Sequence, residues 1–571
     1  MHFIKAGLAV ICLAGQLHLV AQDSLRDRAA LSLPLTDRKL VIAHCMTNIM
    51  RYRGHKLEDS CDPDYYPATG NITSVFGGLT QVKVLEDPVL KEASLDEAVE
   101  FEMRAAIRTG IDGFQFYYTL GNTGWDSIIA AYLRVATRKK IDFKFTFCIS
   151  HPFGSTEKEK IASFAMRINR ILDEAGRDNE HWLRTPDGRL IMYMWYGEKI
   201  ADIPATAGGL PEAYYAARAY QRLGDALHEK LACVYSINEN ISQDKLVDYL
   251  HYFPAVWVWT LPWSDHYPGV RIAETCRTMH RTFTGSAFAD FYTSKLLKKG
   301  TWDMYYRAED AVAAGIGQVE RKYITTGLSY NFRKLLEFGI QQDVPIMNVI
   351  TWNDYPEGHH LAPEVNHNDG FAQLLIYYKH LWKKESPLTG DKEIAVVFFK
   401  KYTHDRVPRP YNIPVLAFQE ETIPPVWEDS IEVVTLLHEP ANLIVNGRGV
   451  AVVGGMTVTR VASQKGAVTV EVTRKGSPGT SKDVPATGKD VTVLRFSTPE
   501  GITETPYRSD RLTYSLSSDY TEFYKELFGD RPMVSADEYG LHGVGASGSG
   551  GAARVGVAAG AGGTAAGEKM R

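Results

Sequence analysis

Two carboxylates three residues apart, Asp354 and Glu357, close the segment Ile346-Met-Asn-Val-Ile-Thr-Trp-Asn-Asp-Tyr-Pro-Glu357. An apolar run ends there in an aromatic, an amide and two acids. A glycosidic bond is broken by one carboxyl group that protonates the leaving oxygen and a second that activates water or attacks. Trp352 offers an indole face of the kind that stacks on a sugar ring, and Asn353, His359 and His360 stand close by in the chain. The bland alternative is an Asp354 that caps the next turn and a solvated Glu357. The density of polar and aromatic neighbours favours chemistry.

Such groups need a scaffold that brings distant residues together. Eight apolar runs rich in β-branched and aromatic residues recur before Asp354, at 40–46, 113–118, 143–150, 190–196, 232–237, 255–260, 289–293 and 346–352. Most are continuous rather than alternating, as strands buried on both faces are. Helical patterns at 95–109, 159–175, 212–231 and 330–338 separate some of them, and a further one at 371–384 follows the last run. The first opens on Ser94 with Glu97 three residues on, the signature of a capping box. Alternation of this kind predicts an α/β fold, a (β/α)8 TIM-like barrel over 38–386, with its chemistry at the C-terminal ends of the strands. Those ends deliver His44, Tyr117, His151, Tyr196, Glu239, Trp259, Trp263, Asp265, Trp352, Asn353 and His359 as candidate substrate-binding residues, with Asp354 and Glu357 as the catalytic pair. Glu239 and Asp265 are rival carboxylates. Asp112 opens the second run and so falls on the face that serves stability.

Beyond Pro387, short strands divided by Gly and Pro predict a β-sandwich over 390–508. The Gly/Ala/Ser-rich residues 541–571 read as a disordered tail. Residues 1–21 read as an export signal: His2 and Lys5, an apolar stretch, then Leu-Val-Ala before Gln22. A secreted or periplasmic protein with no membrane span is expected. A net charge of −5 over 571 residues excludes a nucleic-acid footprint. The cysteines show no CxxC spacing, and His359, His360, His367 and Asp369 match no zinc motif, so neither a metal nor a cofactor is expected. Cys45 and Cys61 are a candidate disulfide.

Thr351-Trp-Asn-Asp-Tyr-Pro-Glu resembles the hallmark segment of glycoside hydrolase family 71, the α-1,3-glucanases or mutanases, which reads Thr-Trp-Asn-Asp-Tyr-Gly-Glu. Val41-Ile-Ala-His-Cys-Met, Gly110-Ile-Asp-Gly-Phe, Trp259-Thr-Leu-Pro-Trp and His367-Asn-Asp-Gly-Phe are similar to other segments of that family, in the same order. The resemblance spans about residues 38–385. It implies a barrel with an attached sandwich, cofactor-free and endo-acting hydrolysis of α-1,3-glucan, and Asp354 and Glu357 as the two acids of an inverting mechanism. Departures from the pattern are Pro356 for Gly, Gly358 for Ser, Ser150 for Asp and Leu261 for Trp. They leave the pair in place while altering the sugar platforms, so another α-linked polymer such as α-mannan is the alternative substrate, and a non-catalytic glycan-binding protein the alternative class.

Overall fold

A computed structural model of the chain describes residues 34–55, 87–293 (without 122, 153, 205–209 and 239), 296–298, 301, 304–305, 314–315, 319–388, 392–403, 416–421, 427–475, 490–503 and 512–533. The export signal, the Gly/Ala-rich tail, Glu239 and Cys61 lie outside the described residues.

Eight strand positions alternate with eight helices. The strands are β1 (Leu40–Cys45), β2 (Gly113–Tyr118), β3 (Lys144–Ser150), β4 (Leu190–Trp195), β5 (Leu231–Ile237), β6 (Ala255–Val258), β7 (Thr282–Phe283) with β8 (Gly285–Ala287), and, after three short strands described below, β12 (Ile346–Val349). The helices are α1 (Leu95–Arg108), α2 (Gly124–Lys139), α3 (Glu157–Ala175), α4 (Glu212–Leu227), α5 (Gln243–Tyr252), α6 (Gly269–Thr278), α7 (Tyr330–Gln341) and α8 (Gly370–Lys383). All strand pairings are parallel, in the order β7-β6-β5-β4-β3-β2-β1-β12-β8. β7 sits on β6 and β8 on β12. Thr284, between the two, gives both its N–H and its hydroxyl to the Val256 carbonyl, which closes the (β/α)8 barrel.

The residues explain the elements. β1 and β12 are buried along their whole length, as a continuous apolar run demands. The capping box predicted at Ser94 is present, with Ser94 Oγ accepting from Glu97 N and Glu97 Oε2 accepting from Ser94 N at 2.7 Å. Thr156 and Glu159 repeat it on α3.

The seventh strand lies elsewhere than the sequence indicates. Residues 289–293 are buried but pair only through a bridge from Tyr292 to Tyr323, while the strand itself is 282–287, Thr-Phe-Thr-Gly-Ser-Ala. Its small residues carry little apolar signal. They are required by closeness: a Cβ on Gly285 would stand 2.8 Å from Met347 Sδ on β12.

Between β8 and α7 lie β9 (Leu296–Lys298), β10 (Met304–Tyr305) and β11 (Val319–Ile324), which form a small sheet with β14 (Leu416–Glu421). The C-terminal unit starts at β13 (Ile394–Lys400) and continues through β15 (Ser430–Leu437), β16 (Ala441–Val445), β17 (Arg448–Val452), β18 (Gly455–Ala462), β19 (Gly466–Lys475), β20 (Asp490–Ile502) and β21 (Thr513–Ser517). Two antiparallel sheets, β18-β15-β13-β21 and β17-β16-β19-β20, pack face to face as a sandwich. Val397, Phe399 and Val433 of one share a core with Leu443, Val470 and Val472 of the other. A last helix, α9 (Tyr520–Phe528), returns to the barrel, where Phe528 meets Phe101 of α1. Among the described residues, no helix is long and apolar enough to cross a membrane.

Candidate active site

The segment after β12 turns back on itself at the C-terminal mouth of the barrel. Tyr355–Glu357 form one 3₁₀ turn with Pro356 in its first positions and Gly358 ending it at φ 75°. Proline suits the start of a helical turn and glycine the left-handed end. A Cβ on Gly358 would lie 2.9 Å from Tyr292 N and 2.8 Å from Leu512 Cδ2, so this loop is pressed against its neighbours. Tyr292 N donates to the Glu357 carbonyl at 3.1 Å, Thr351 N to His359 O at 2.7 Å, and Trp352 N to His44 O at 2.7 Å.

This turn brings three of the candidate side chains together. His359 Nε2 lies 3.0 Å from Glu357 Oε2 and 3.9 Å from Asp354 Oδ2, and one ligand atom from each of the three falls within 4.8 Å of the others. The Asp354 side chain makes no cap to the turn that follows it. His359 is fully buried, and Glu357, with 21% of its side chain exposed, faces the mouth more openly than Asp354 at 9%.

Around the pair runs a wall of rings. Trp259 meets His359 at 5.8 Å between centroids and Trp195 at 5.1 Å. Trp195 meets His151 at 5.0 Å and Tyr196 at 4.9 Å, and Tyr117 OH lies 3.3 Å from His151 Nδ1. His44 forms the floor, 4.9 Å from Trp259 and 6.0 Å from Tyr117. Burial pushes its imidazole down to about 3, so it is neutral at ordinary pH. His44, Tyr117, His151, Tyr196, Trp259 and His359 are therefore neighbours, as the strand ends suggested. Trp195 was not singled out from the sequence. Its signal was its place as the last residue of β4, immediately before Tyr196.

Other candidates have other places. Trp352 is in the interior: its Nε1 donates to Glu102 Oε2 on α1 at 2.5 Å and its ring leans on Phe114 at 5.7 Å, so no face is open to a sugar. Asn353 is a clamp. Its amide accepts from Met46 N at 2.8 Å and donates to Met46 O and Ile49 O, holding the loop after β1. Trp263 packs on Tyr267 and on Phe338 of α7 instead of on the ring wall. Asp265 is exposed two residues further on. Asp112 accepts from Val41 N and Lys379 Nζ, which makes it structural, as its position predicts. Asp369, weighed from the sequence beside the histidines, binds Ser517 N at 2.9 Å and Gln373 Nε2 at 3.1 Å, joining α8 to β21.

A second convergence lies behind the turn: His360, Glu364 and His367, all buried, with ligand atoms within 4.8 Å of one another. Both it and the Asp354–Glu357–His359 group have donors of the types that hold a metal ion.

The architecture is that of a (β/α)8 barrel carrying a β-sandwich. No protein-family model matches the chain. No curated protein matches it either. Among solved structures, it is similar to the GH99 endo-α-mannosidase from Bacteroides thetaiotaomicron, at 11% identity and TM-score 0.35, over 52% of this chain and 88% of that one. It is similar to a glycosyl hydrolase family 2 member from Bacteroides cellulosilyticus, at 11% identity and TM-score 0.38, over 82% of this chain and 46% of that one. A β-glucosidase from Thermotoga maritima aligns at 11% identity and TM-score 0.32, over 62% of this chain and all of that one. Likenesses this distant assign no reaction.

Proposed function

We propose that the protein is an exported glycoside hydrolase that cleaves an α-linked polysaccharide, α-1,3-glucan first among them, in endo fashion. The observation that carries this reading is the convergence of Asp354, Glu357 and His359 at the barrel mouth. Two carboxyl groups and an imidazole at such distances can share and transfer a proton, which acetal hydrolysis requires. Glu357, the more exposed of the pair and the partner of His359, meets the glycosidic oxygen as acid. Asp354 acts on the anomeric carbon. The ring wall of Trp259, Trp195, Tyr196 and Tyr117 gives the polymer apolar faces to stack on. The segments resembling family 71 supply the α-1,3 preference; residues 38–386 form the catalytic unit and 390–508 the body of the sandwich. No metal or cofactor takes part in bond cleavage on this reading.

Reducing-sugar release from α-1,3-glucan, α-1,4-glucan, α-1,6-glucan and α-mannan tests it. Release from α-1,3-glucan is the expected result. Release from α-mannan alone keeps the mechanism and moves the specificity, while binding without release on every polymer overturns the enzyme assignment. The anomeric configuration of the first product, read by proton NMR, tests the pair. Inverted product is the expected result; retained product would make one carboxylate of the pair the nucleophile of a covalent intermediate.

A further inference from the structure

We propose that His360, Glu364 and His367 bind one zinc-class divalent ion, which holds the turn carrying Asp354 and Glu357 to the segment that leads into α8. The site is separate from the catalytic pair and does not depend on the reaction assigned to that pair.

Geometry carries the inference. His360 Nε2 lies 3.4 Å from Glu364 Oε1, and His367 Nδ1 lies 3.3 Å from the same oxygen. Ligands about 2.0–2.1 Å from a tetrahedral zinc ion stand about 3.3–3.4 Å apart along the edges of the tetrahedron. These contacts are too long for good hydrogen bonds and match that edge. Consistently, among the described residues no partner meets either ring nitrogen of His360 or of His367 in good hydrogen-bond geometry, although both residues are buried. A buried polar atom left without a partner costs stability, and a bound ion removes that cost.

The surroundings are those of a ligand set. Glu364 is fixed by Asn366 N on one oxygen at 2.6 Å and by His367 N on the other at 2.5 Å. On the far side of the His367 ring, Nε2 lies 3.7 Å from Asp290 Oδ2. A carboxylate behind a ligating imidazole orients the ring and raises its basicity. Asp290 is held in turn by Thr513 N at 2.5 Å and Lys400 Nζ at 3.4 Å, both from the sandwich. The His360 ring also lies against Tyr355 at 4.6 Å, inside the catalytic turn.

The test uses the full chain, stripped with a chelator, loaded with Zn²⁺ as the only added metal and desalted. Metal content is read by plasma mass spectrometry and the melting temperature by calorimetry. One zinc per chain is expected, with a rise in Tm that the chelator reverses. His360→Gln and His367→Gln should lose the zinc, whereas Glu357→Gln should keep it. Loading with Co²⁺ should give the intense visible bands of a four-coordinate ion, a readout on the wild type that stands even if the histidine variants do not fold. A wild type that retains no zinc and shows no Tm shift overturns the proposal. Zinc kept equally by both histidine variants, or lost in Glu357→Gln, also overturns it by placing the ion elsewhere.

Discussion

Glu357 and Asp354 are tied to the same imidazole at unequal distances, 3.0 Å and 3.9 Å from His359 Nε2. Glu357→Gln and Asp354→Asn should each lower kcat by about 10²–10⁴-fold, the usual worth of general acid–base catalysis. The calorimetric Tm of either variant should stay at the wild-type value. A collapsed circular dichroism spectrum would give these carboxylates a structural role instead. Two tryptophans make the opposite pair. Trp259→Ala should weaken polymer turnover by more than its loss of packing lowers stability, as kcat/KM and calorimetry on one sample will show. Trp352→Phe should cost about 1–3 kcal/mol of stability, because it takes the indole N–H away from buried Glu102; turnover per folded molecule should hold. His44 gives the pH prediction. Its imidazole is lowered from 6.5 to about 3 in the folded protein, so between those values the unfolded chain binds more protons than the folded one. The stability it contributes is complete above pH 6.5 and falls as the pH drops toward about 3. His44→Gln should flatten the plot of Tm against pH across that window. The sequence made Asp354, Glu357 and the strand-end aromatics legible because their types and places are local facts. It could not say which way Trp352 points, since its burial depends on Glu102 and Phe114, brought in by α1 and β2.

Among the elements, legibility followed the strength of the local pattern. Continuous apolar strands such as β1 and β12 and capped helices such as α1 declared themselves. The strand at 282–287 did not, because closing a barrel called for small residues there, while the apolar stretch 289–293 is buried under later segments without joining the sheet. The short sheet of β9, β10, β11 and β14 was also missed, since its partners are far apart in the chain. The turn at Tyr355–Glu357 shows how a departure from the family 71 segment can be structural: Pro356 suits the start of the 3₁₀ turn, and Gly358 ends it in the left-handed region. Gly358→Ala must adopt a positive φ and push against the Tyr292 backbone. It should cost about 1–3 kcal/mol and lower activity more than that loss alone predicts, as activity and calorimetry on one sample will reveal.

For the whole molecule, the barrel and the sandwich are bound by buried polar contacts. Asp290 depends on Lys400 and Thr513, and Asp369 on Ser517. Removing one partner of a buried charge costs about 3–5 kcal/mol. A chain ended at 386 should therefore be insoluble, and soluble active barrel from such a truncation would contradict this account of the interface. The change from long apolar runs to short strands near Pro387 indicated a barrel followed by a sandwich, but did not reveal β21, whose residues 513–517 pair with β13. A strand of five residues beyond a long gap gave no sign of where it returns.

That return has a consequence for the order in which the protein is made. Thr513 reaches back 223 residues to Asp290, and Leu512 lies against the place a Gly358 side chain would fill. A ribosome delivers the carboxylate pair long before it delivers the residues that lean on their turn. The turn that carries the pair stays without these contacts until residues 512 and 513 arrive. A product ended before them would carry every proposed catalytic residue without the contacts that set them in position.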